Sequence, residues 1–358
     1  MTSGDPTYRR RLVDTYLDEL LKQLPALLVV GPRATGKTTT LERRAATRVQ
    51  LDVDTEAAVF RGDPVAALRG LPEPVLLDEW QNVPGVLTAV RRAVDADSRP
   101  NRFYVTGSVH AELENAVWPG TGRLVRVTVH PMNMREQLGR VSGPTVFDRL
   151  ADGDELADPV DPPDMRGYIE IALNSGYPTA ALDLTGSAQT AWLDSYVDDL
   201  LTRDIEQIEE PTGRRRDPER LRAYLEAYAL SSAGIADHAT IYGAAEVNRA
   251  TATAYERLLT DIMVVEQTPA WSSNRLKRIV RRPKRYLVDA GMMAAILRLD
   301  VSGVMREGDM LGRVLDTFVA AQLRPEVQLS RCRPRLHHLR TQSGRQEIDL
   351  LAELGGER

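Results

Sequence analysis

One stretch of eight residues limits this chain more than any other: Gly31-Pro-Arg-Ala-Thr-Gly36-Lys37-Thr38. It follows directly on the apolar run Ala26-Leu-Leu-Val-Val30, which reads as a buried strand, and Thr39 to Ala46 reads as a helix. Between strand and helix, the glycines let the backbone turn tightly, so that successive N–H groups point at one anion. The helix start adds unpaired N–H groups and a partial positive charge. Lys37 adds a full charge, and Thr38 adds a hydroxyl able to bind a divalent cation. Phosphate is the ligand these residue types suit.

The spacing Gly-x-x-x-x-Gly-Lys-Thr is the P-loop pattern. It implies ATP and Mg²⁺ as cofactors, with Gly31, Pro32, Arg33, Ala34, Thr35, Gly36, Lys37, Thr38 and Thr39 around the phosphates. Lys37 would reach the β- and γ-phosphates and Thr38 the metal. The alternative is a glycine-rich turn without a ligand. A second element is Val75-Leu-Leu-Asp78-Glu79, an apolar strand ending in two acids, which is the Walker B arrangement. Asp78 would hold Mg²⁺ through water and Glu79 would polarise the attacking water as general base. A third is Phe103-Tyr-Val-Thr106-Gly107-Ser108. In a parallel sheet the C-terminal strand ends line the ligand crevice, so Thr106 or Ser108 would touch the γ-phosphate or place the water. Ser108 reads equally as a helix cap. Arg123, after the small-residue loop Pro119-Gly-Thr-Gly122, reads either as a catalytic arginine near the γ-phosphate or as a surface salt bridge.

Further apolar runs lie at 47–53, 74–78, 102–106 and 123–130, with helical stretches between them. Strands alternating with helices indicate an α/β fold, a parallel sheet with helices on both faces, over residues 1–140. An amphipathic helix is expected at 7–23. Residues 141–165, rich in Gly, Pro and Asp, read as a linker or long loop. Residues 166–285 read as a mostly helical region, and 286–358 as a small α+β region with helices at 289–298 and 309–324 and strands at 335–341 and 346–352. A length of 358 residues suits such a multidomain plan. The net charge of -5 excludes a generally basic nucleic-acid binder, so any basic surface must be local. No apolar run approaches the roughly 20 residues that span a bilayer, and the N-terminus lacks the apolar core of a secretory signal. Cys332 stands alone, which rules out an internal disulfide and a cysteine metal cluster. His337 and His338 are adjacent, without metal-ligand spacing. A cytoplasmic protein without membrane partners is expected.

Within 236–271 the pattern fits a helix-turn-helix: Thr240 to Ala245, a turn at Glu246-Val-Asn248, a second helix from Arg249 to Leu259, and a wing strand at Asp261 to Gln267. Arg249, Thr251, Thr253 and Arg257 would face a DNA groove; as a packing module the same element would contact protein alone. Beside it, Arg275, Lys277, Arg278, Arg281, Arg282, Lys284 and Arg285 form a basic cluster, 275–285. It reads either as a phosphate-neutralising surface or as a solvated face paired with acids.

Taken together, Leu77-Asp-Glu-Trp-Gln81-Asn-Val-Pro-Gly-Val-Leu, Ala93-Val-Asp95 and Phe103-Tyr-Val-Thr-Gly-Ser108 resemble a large group of prokaryotic AAA-like ATPases. Gly122-Arg123 to Pro131, Arg135-Glu136, Thr202-Arg203-Asp204-Ile205, Arg282-Pro-Lys284-Arg-Tyr286 to Asp289-Ala-Gly291, and Arg340 to Glu347-Ile-Asp349 extend the resemblance over most of 25–352. It implies a P-loop domain with the additional-strand sheet, Glu79 as the catalytic acidic residue, and a C-terminal winged helix followed by a restriction-endonuclease-like fold. Here the chain departs from that pattern. Asp316 stands where a Glu is more usual, and the chain ends at Glu357-Arg358 before a Glu-x-Lys strand. The nuclease-like part is therefore expected to be incomplete and inactive, with Asp316, Glu347 and Asp349 remnant or structural.

The leading expectation is an Mg²⁺-dependent ATPase that yields ADP and phosphate, its C-terminal half a regulatory, DNA-binding or protein-binding module. The alternatives are an ATP-gated DNA-binding regulator with very slow hydrolysis, and a small-molecule kinase. Against the kinase stand Glu79, which suits water activation, and the lack of an Arg-rich lid in the first 140 residues.

Overall fold

The apolar runs of the N-terminal part pair side by side. In this computed structural model, which describes residues 8–107, 122–202, 217–272, 282–340 and 346–355, β1 (Ala26–Val30), β2 (Thr47–Gln50), β3 (Val75–Asp78), β4 (Phe103–Gly107) and β5 (Leu124–Thr128) form one parallel sheet in the order β2-β3-β4-β1-β5. The strand β4 lies between β1 and β3, which is the additional-strand order. Leu28 is in register with Val105 on one side and Arg126 on the other. Every residue of β1, β3 and β4 is buried, as continuous apolar runs in a parallel sheet require.

Helices flank the sheet: α1 (Leu12–Leu21), α2 (Lys37–Glu42), α3 (Asp54–Gly62), α4 (Pro64–Leu68) and α5 (Gly85–Ala96). Alternate strand residues Leu28, Val30, Leu77 and Val105 form one core with Phe60 of α3 and Val86, Leu87 and Val90 of α5. Each such side chain, fully buried, contributes about 1.5–3 kcal/mol. The first helix begins at Leu12 rather than near residue 7, and α2 begins at Lys37 rather than Thr39, because Gly36 in the left-handed region supplies its N-cap.

The chain divides into two compact units. One comprises Met1–His130, Leu138–Ser142 and Asp261–Met263; the other comprises Pro131–Gln137, Gly143–Thr260 and Val264–Arg358. The second unit is mostly helical: α6 (Met134–Gln137), α7 (Val146–Asp152), α8 (Met165–Leu173), α9 (Gly186–Thr202), α10 (Pro218–Leu230), α11 (His238–Ala244), α12 (Arg249–Asp261), α13 (Ala290–Leu297), α14 (Val301–Arg306) and α15 (Gly308–Val327). It carries two antiparallel pairs, β6 (Val265–Thr268) with β7 (Lys284–Leu287) and β8 (Arg335–Arg340) with β9 (Glu347–Glu353). Among the described residues no helix is long and apolar enough to cross a membrane.

One expectation changes and another is narrowed. The segment 141–165, read as a linker, contains α7, which is capped by Thr145 and fastened to the end of α15. Glu326 accepts from the Val146 N–H at 2.6 Å, Thr145 meets Ser330 at 2.7 Å, and Asp148 accepts from the Cys332 N–H at 3.1 Å. Buried polar partners, which composition does not report, make this stretch part of the unit. Of the two readings of the basic cluster, pairing with acids is the one its described members show. Arg275, Lys277, Arg278 and Arg281 lie outside the described residues, but the other three members are engaged with acids. Arg282 pairs with Asp237 at 2.8 Å, Arg285 with Glu256 at 2.8 Å, and Lys284 with Glu347 at 2.8 Å and also with Asp349. Lys284 and Arg285 are buried, so these two charges are spent inside the unit rather than offered to a phosphate backbone.

Segments that carried the resemblance thus meet one another: Lys284 joins β7 to the two acids of β9. Nearby, Asp316 has its pKa raised, chiefly by burial and then by Asp349. Asp289 caps α13 by accepting from the Met292 N–H at 2.7 Å, and it also accepts from Ser175 Oγ at 2.8 Å and the Gly176 N–H at 2.7 Å. Burial pushes its carboxyl pKa up.

Candidate nucleotide-binding site

Three strand ends make the site. The chain leaves β1 at Val30 into the loop, β3 ends at Asp78, and Thr106 is the penultimate residue of β4. All three ends lie at the C-terminal edge of the sheet, the edge at which open parallel sheets bind ligands.

The loop is built tightly against β5. Gly31 has φ +156°, and a Cβ there would lie 2.1 Å from the Val129 carbonyl oxygen. That carbonyl cannot retreat easily, because the Val129 N–H bonds Val30 O at 2.8 Å. Pro32 and Thr35 are buried, and Arg33, Ala34 and Thr39 are exposed. Thr35 Oγ1 donates to Pro32 O at 2.9 Å, and Lys37 Nζ donates to Gly31 O at 3.0 Å and Pro32 O at 2.8 Å. The buried lysine therefore lies across the loop it belongs to.

Thr38 Oγ1 donates to Asp78 Oδ1 at 2.9 Å, and Thr106 Oγ1 donates to the same oxygen. Helix α2 and strands β3 and β4 thus converge on one carboxylate, which is 4% exposed. Glu79 follows with φ 55° and ψ 52°. This left-handed conformation costs a residue with a Cβ about 1–2 kcal/mol, and it turns the chain sharply into the short 3₁₀ helix Trp80–Asn82. Gln81 Nε2 donates to Glu79 Oε2 at 2.5 Å, which orients the carboxylate.

The sequence left three nearby side chains without a role. Arg11, just before α1, donates to Thr35 O at 2.7 Å and His130 O at 2.8 Å. It ties the loop to the segment after β5. Arg48 on β2 reaches Asp78 Oδ2 at 3.0 Å and Glu42 Oε1 at 3.2 Å. Burial lowers the Arg48 pKa, but Glu42 and Asp78 more than offset this and raise it. Gln81 is the third. No spacing rule marks the two arginines, since the partners of Arg11 are backbone carbonyls and those of Arg48 are acids six and 30 residues away.

Of the two remaining candidates, one is not described and the other is not brought to this edge. Ser108 lies outside the described residues. Arg123 precedes β5, whose first residue Leu124 is in register with Ala26. At about 3.3 Å per residue it stands about 20 Å along the strand direction from Gly31. Its Nε pairs with Asp95 Oδ1 at 2.9 Å. Within its own chain Arg123 is a surface ion pair, and the parallel register is what keeps it from the phosphate side.

Two family models match separate parts of the chain. Residues 23–138 match the model of an AAA domain, and residues 165–302 match that of a domain of unknown function (DUF8612). The uncharacterized proteins Rv2008c of Mycobacterium tuberculosis and Mb2031c of Mycobacterium bovis are each 30% identical over 352 residues, covering 97% of this chain and 72% of the relative. Among solved structures, the Walker-type ATPase PABY2304 of Pyrococcus abyssi matches 80% of this chain and 94% of its own, at 17% identity and a TM-score of 0.46. The chain belongs to the family of the two mycobacterial proteins, with an AAA-type P-loop domain followed by a separate domain of unknown function.

Proposed function

We propose that the chain binds ATP with Mg²⁺ at residues 31–39 and hydrolyses it to ADP and phosphate. One observation carries the reading: Thr38 and Thr106 meet on Asp78 at the strand ends, with Glu79 next in the chain. A hydroxyl and a carboxylate 2.9 Å apart are hard oxygen donors and fit Mg²⁺, which takes few protein ligands and the rest from water and phosphate. When bound, the ion would neutralise charge developing on the phosphates. Lys37 lies within the loop, so its ammonium can exchange the carbonyls of Gly31 and Pro32 for phosphate oxygens. Glu79, held by Gln81, would take the proton of the attacking water.

Phosphate release from wild type, Lys37→Ala and Glu79→Gln tests this. Removing a general base lowers the rate about 10²–10⁴-fold while ATP binding persists. Equal release from all three proteins would refute the reading.

A second reading concerns the helical unit. The order α11, turn, α12, β6, β7 supports a winged helix, and Arg249, Thr253 and Arg257 are exposed one turn apart along α12. Spacing by four residues puts them on one face. We assign this face a contact with duplex DNA, governed by the nucleotide state. Gel shifts of labelled duplex across a salt series, with and without ATP, decide it. Phosphate contacts require affinity to fall steeply with salt, and no retention in any nucleotide state would remove the reading.

A further inference from the structure

The carboxylate of Asp78 is already satisfied by three protein groups. Thr38 and Thr106 donate to Oδ1, and Arg48 holds Oδ2 at 3.0 Å. A buried carboxylate without a compensating charge is strongly unfavourable, and Arg48 supplies that charge from within the chain. Its guanidinium has two arms. The second rests on Glu42 Oε1 at 3.2 Å, a side chain about half exposed on α2, one turn beyond Thr38. The arginine therefore has a second carboxylate to which it can withdraw.

We infer that Arg48 is an internal counter-cation to Asp78 that must give way for a divalent ion to load, so that the ion enters with the nucleotide rather than ahead of it. This rests on the nucleotide reading above and adds an order of events to it. A bare ion approaching Asp78 meets a fixed positive charge and must displace a charge-assisted hydrogen bond. Nucleotide phosphates add negative charge at the loop and offset that repulsion. The guanidinium can then leave Asp78 for Glu42, or for a phosphate oxygen, for which its planar fork is suited.

The experiment is a Mn²⁺ titration without nucleotide, reading free Mn²⁺ by electron paramagnetic resonance. Wild type, Arg48→Gln and the double variant Arg48→Gln/Asp78→Asn are compared. A charge-assisted hydrogen bond is worth about 1.5–3 kcal/mol, which is about tenfold or more in affinity. Arg48→Gln should bind Mn²⁺ at least about tenfold tighter than wild type, and the double variant should lose that gain. Melting temperature in chelator, against excess Mg²⁺, is a second readout: Arg48→Gln should fall in chelator and recover with metal more than wild type does. Should Arg48→Gln fail to fold in chelator, Arg48→Lys replaces it. Its single ammonium holds Asp78 or Glu42 but not both, and Mn²⁺ affinity should lie between wild type and tenfold. Unchanged Mn²⁺ affinity in the folded variant, or a gain that survives in the double variant, overturns the inference. The wild type is also titrated with Mn²⁺ and ADP together. Binding there with an indifferent Arg48 variant refutes this inference alone, whereas no binding of nucleotide by wild type refutes the reading beneath it.

Discussion

Substituting Gly31 by Ala separates close approach from mere backbone freedom. The added Cβ would lie 2.1 Å from Val129 O. Ordinary carbon–oxygen contacts are about 3.3 Å, so loop and segment must part by about 1 Å. That movement pulls on the Val129 N–H to Val30 O bond, which continues the β1–β5 ladder. Crowding of this kind costs about 1–3 kcal/mol. A backbone in this sparsely populated region adds about 1–3 kcal/mol, for a total of roughly 2–6 kcal/mol. Gly70 is the control, because its φ is +79° and a Cβ there meets nothing within 4 Å. Gly70→Ala should lose the conformational part alone. Urea unfolding gives the global loss, and hydrogen exchange in peptides spanning β1 and β5 shows whether it is local. Nucleotide titration should show a further effect for Gly31→Ala, about tenfold or more, since 1.4 kcal/mol of loop displacement undone on binding is a factor of ten. If Gly31→Ala were no more damaging than Gly70→Ala, and bound nucleotide like wild type, close packing of the loop on β5 would not be what requires this glycine.

Other residues give sharper single tests. Arg11→Met leaves two carbonyls, Thr35 O and His130 O, without their charged donor, and should lower stability by about 2–4 kcal/mol; calorimetry checks this, and nucleotide affinity should fall in parallel. Lys284→Met strands Glu347 and Asp349, which are 30% and 48% exposed, so the loss should be about 2–3 kcal/mol, below that of a fully buried pair. In a Glu347→Gln/Asp349→Asn background the same change should cost much less, as a double-mutant cycle would show. His338 is buried, and burial first of all holds its pKa below the usual value. The unfolded chain then takes up the proton first, so stability present at pH 7 should decline as pH falls below about 6.5. Melting curves between pH 7.5 and 5.5 should show this slope in wild type and a shallower one in His338→Gln.

How much of this was legible follows from how far apart the partners lie. Strands β1, β3 and β4 are continuous apolar runs, and burial on both faces of a parallel sheet leaves that mark in sequence. Asp78 and Thr106 were legible for a related reason: a polar residue ending such a run sits at the strand tip. The loop was legible because a tight turn between an apolar strand and a helix needs glycine at fixed positions, and Gly31 and Gly36 both have positive φ there. Arg123 was not, because its distance from the loop depends on the direction and register of β5 against β1, which no local pattern encodes. Seven basic residues in 275–285 suggested an exposed charge, yet the acids that bury Lys284 and Arg285 come from Glu256, Glu347 and Asp349. Segment 141–165 misled in the opposite sense. Its glycines and prolines punctuate the chain, but Thr145 and Asp148 fix α7 through contacts more than 180 residues away.

Asp78 links the legible part to the hidden part. Two hydroxyls, one from α2 and one from β4, hold Oδ1, so the carboxylate plane is set by elements that cannot move independently of the sheet. Placement of this kind removes reorganisation from the moment of binding. Oδ2 is different, because its partner Arg48 is a long side chain with an alternative acid in reach. Of the contacts that Asp78 makes among the described residues, the rigid ones orient it and the mobile one regulates what can approach it. Those two tasks call for different residues, a β-branched hydroxyl locked by packing and an arginine at a half-open edge strand. Thr38, Thr106 and Arg48 divide along that line.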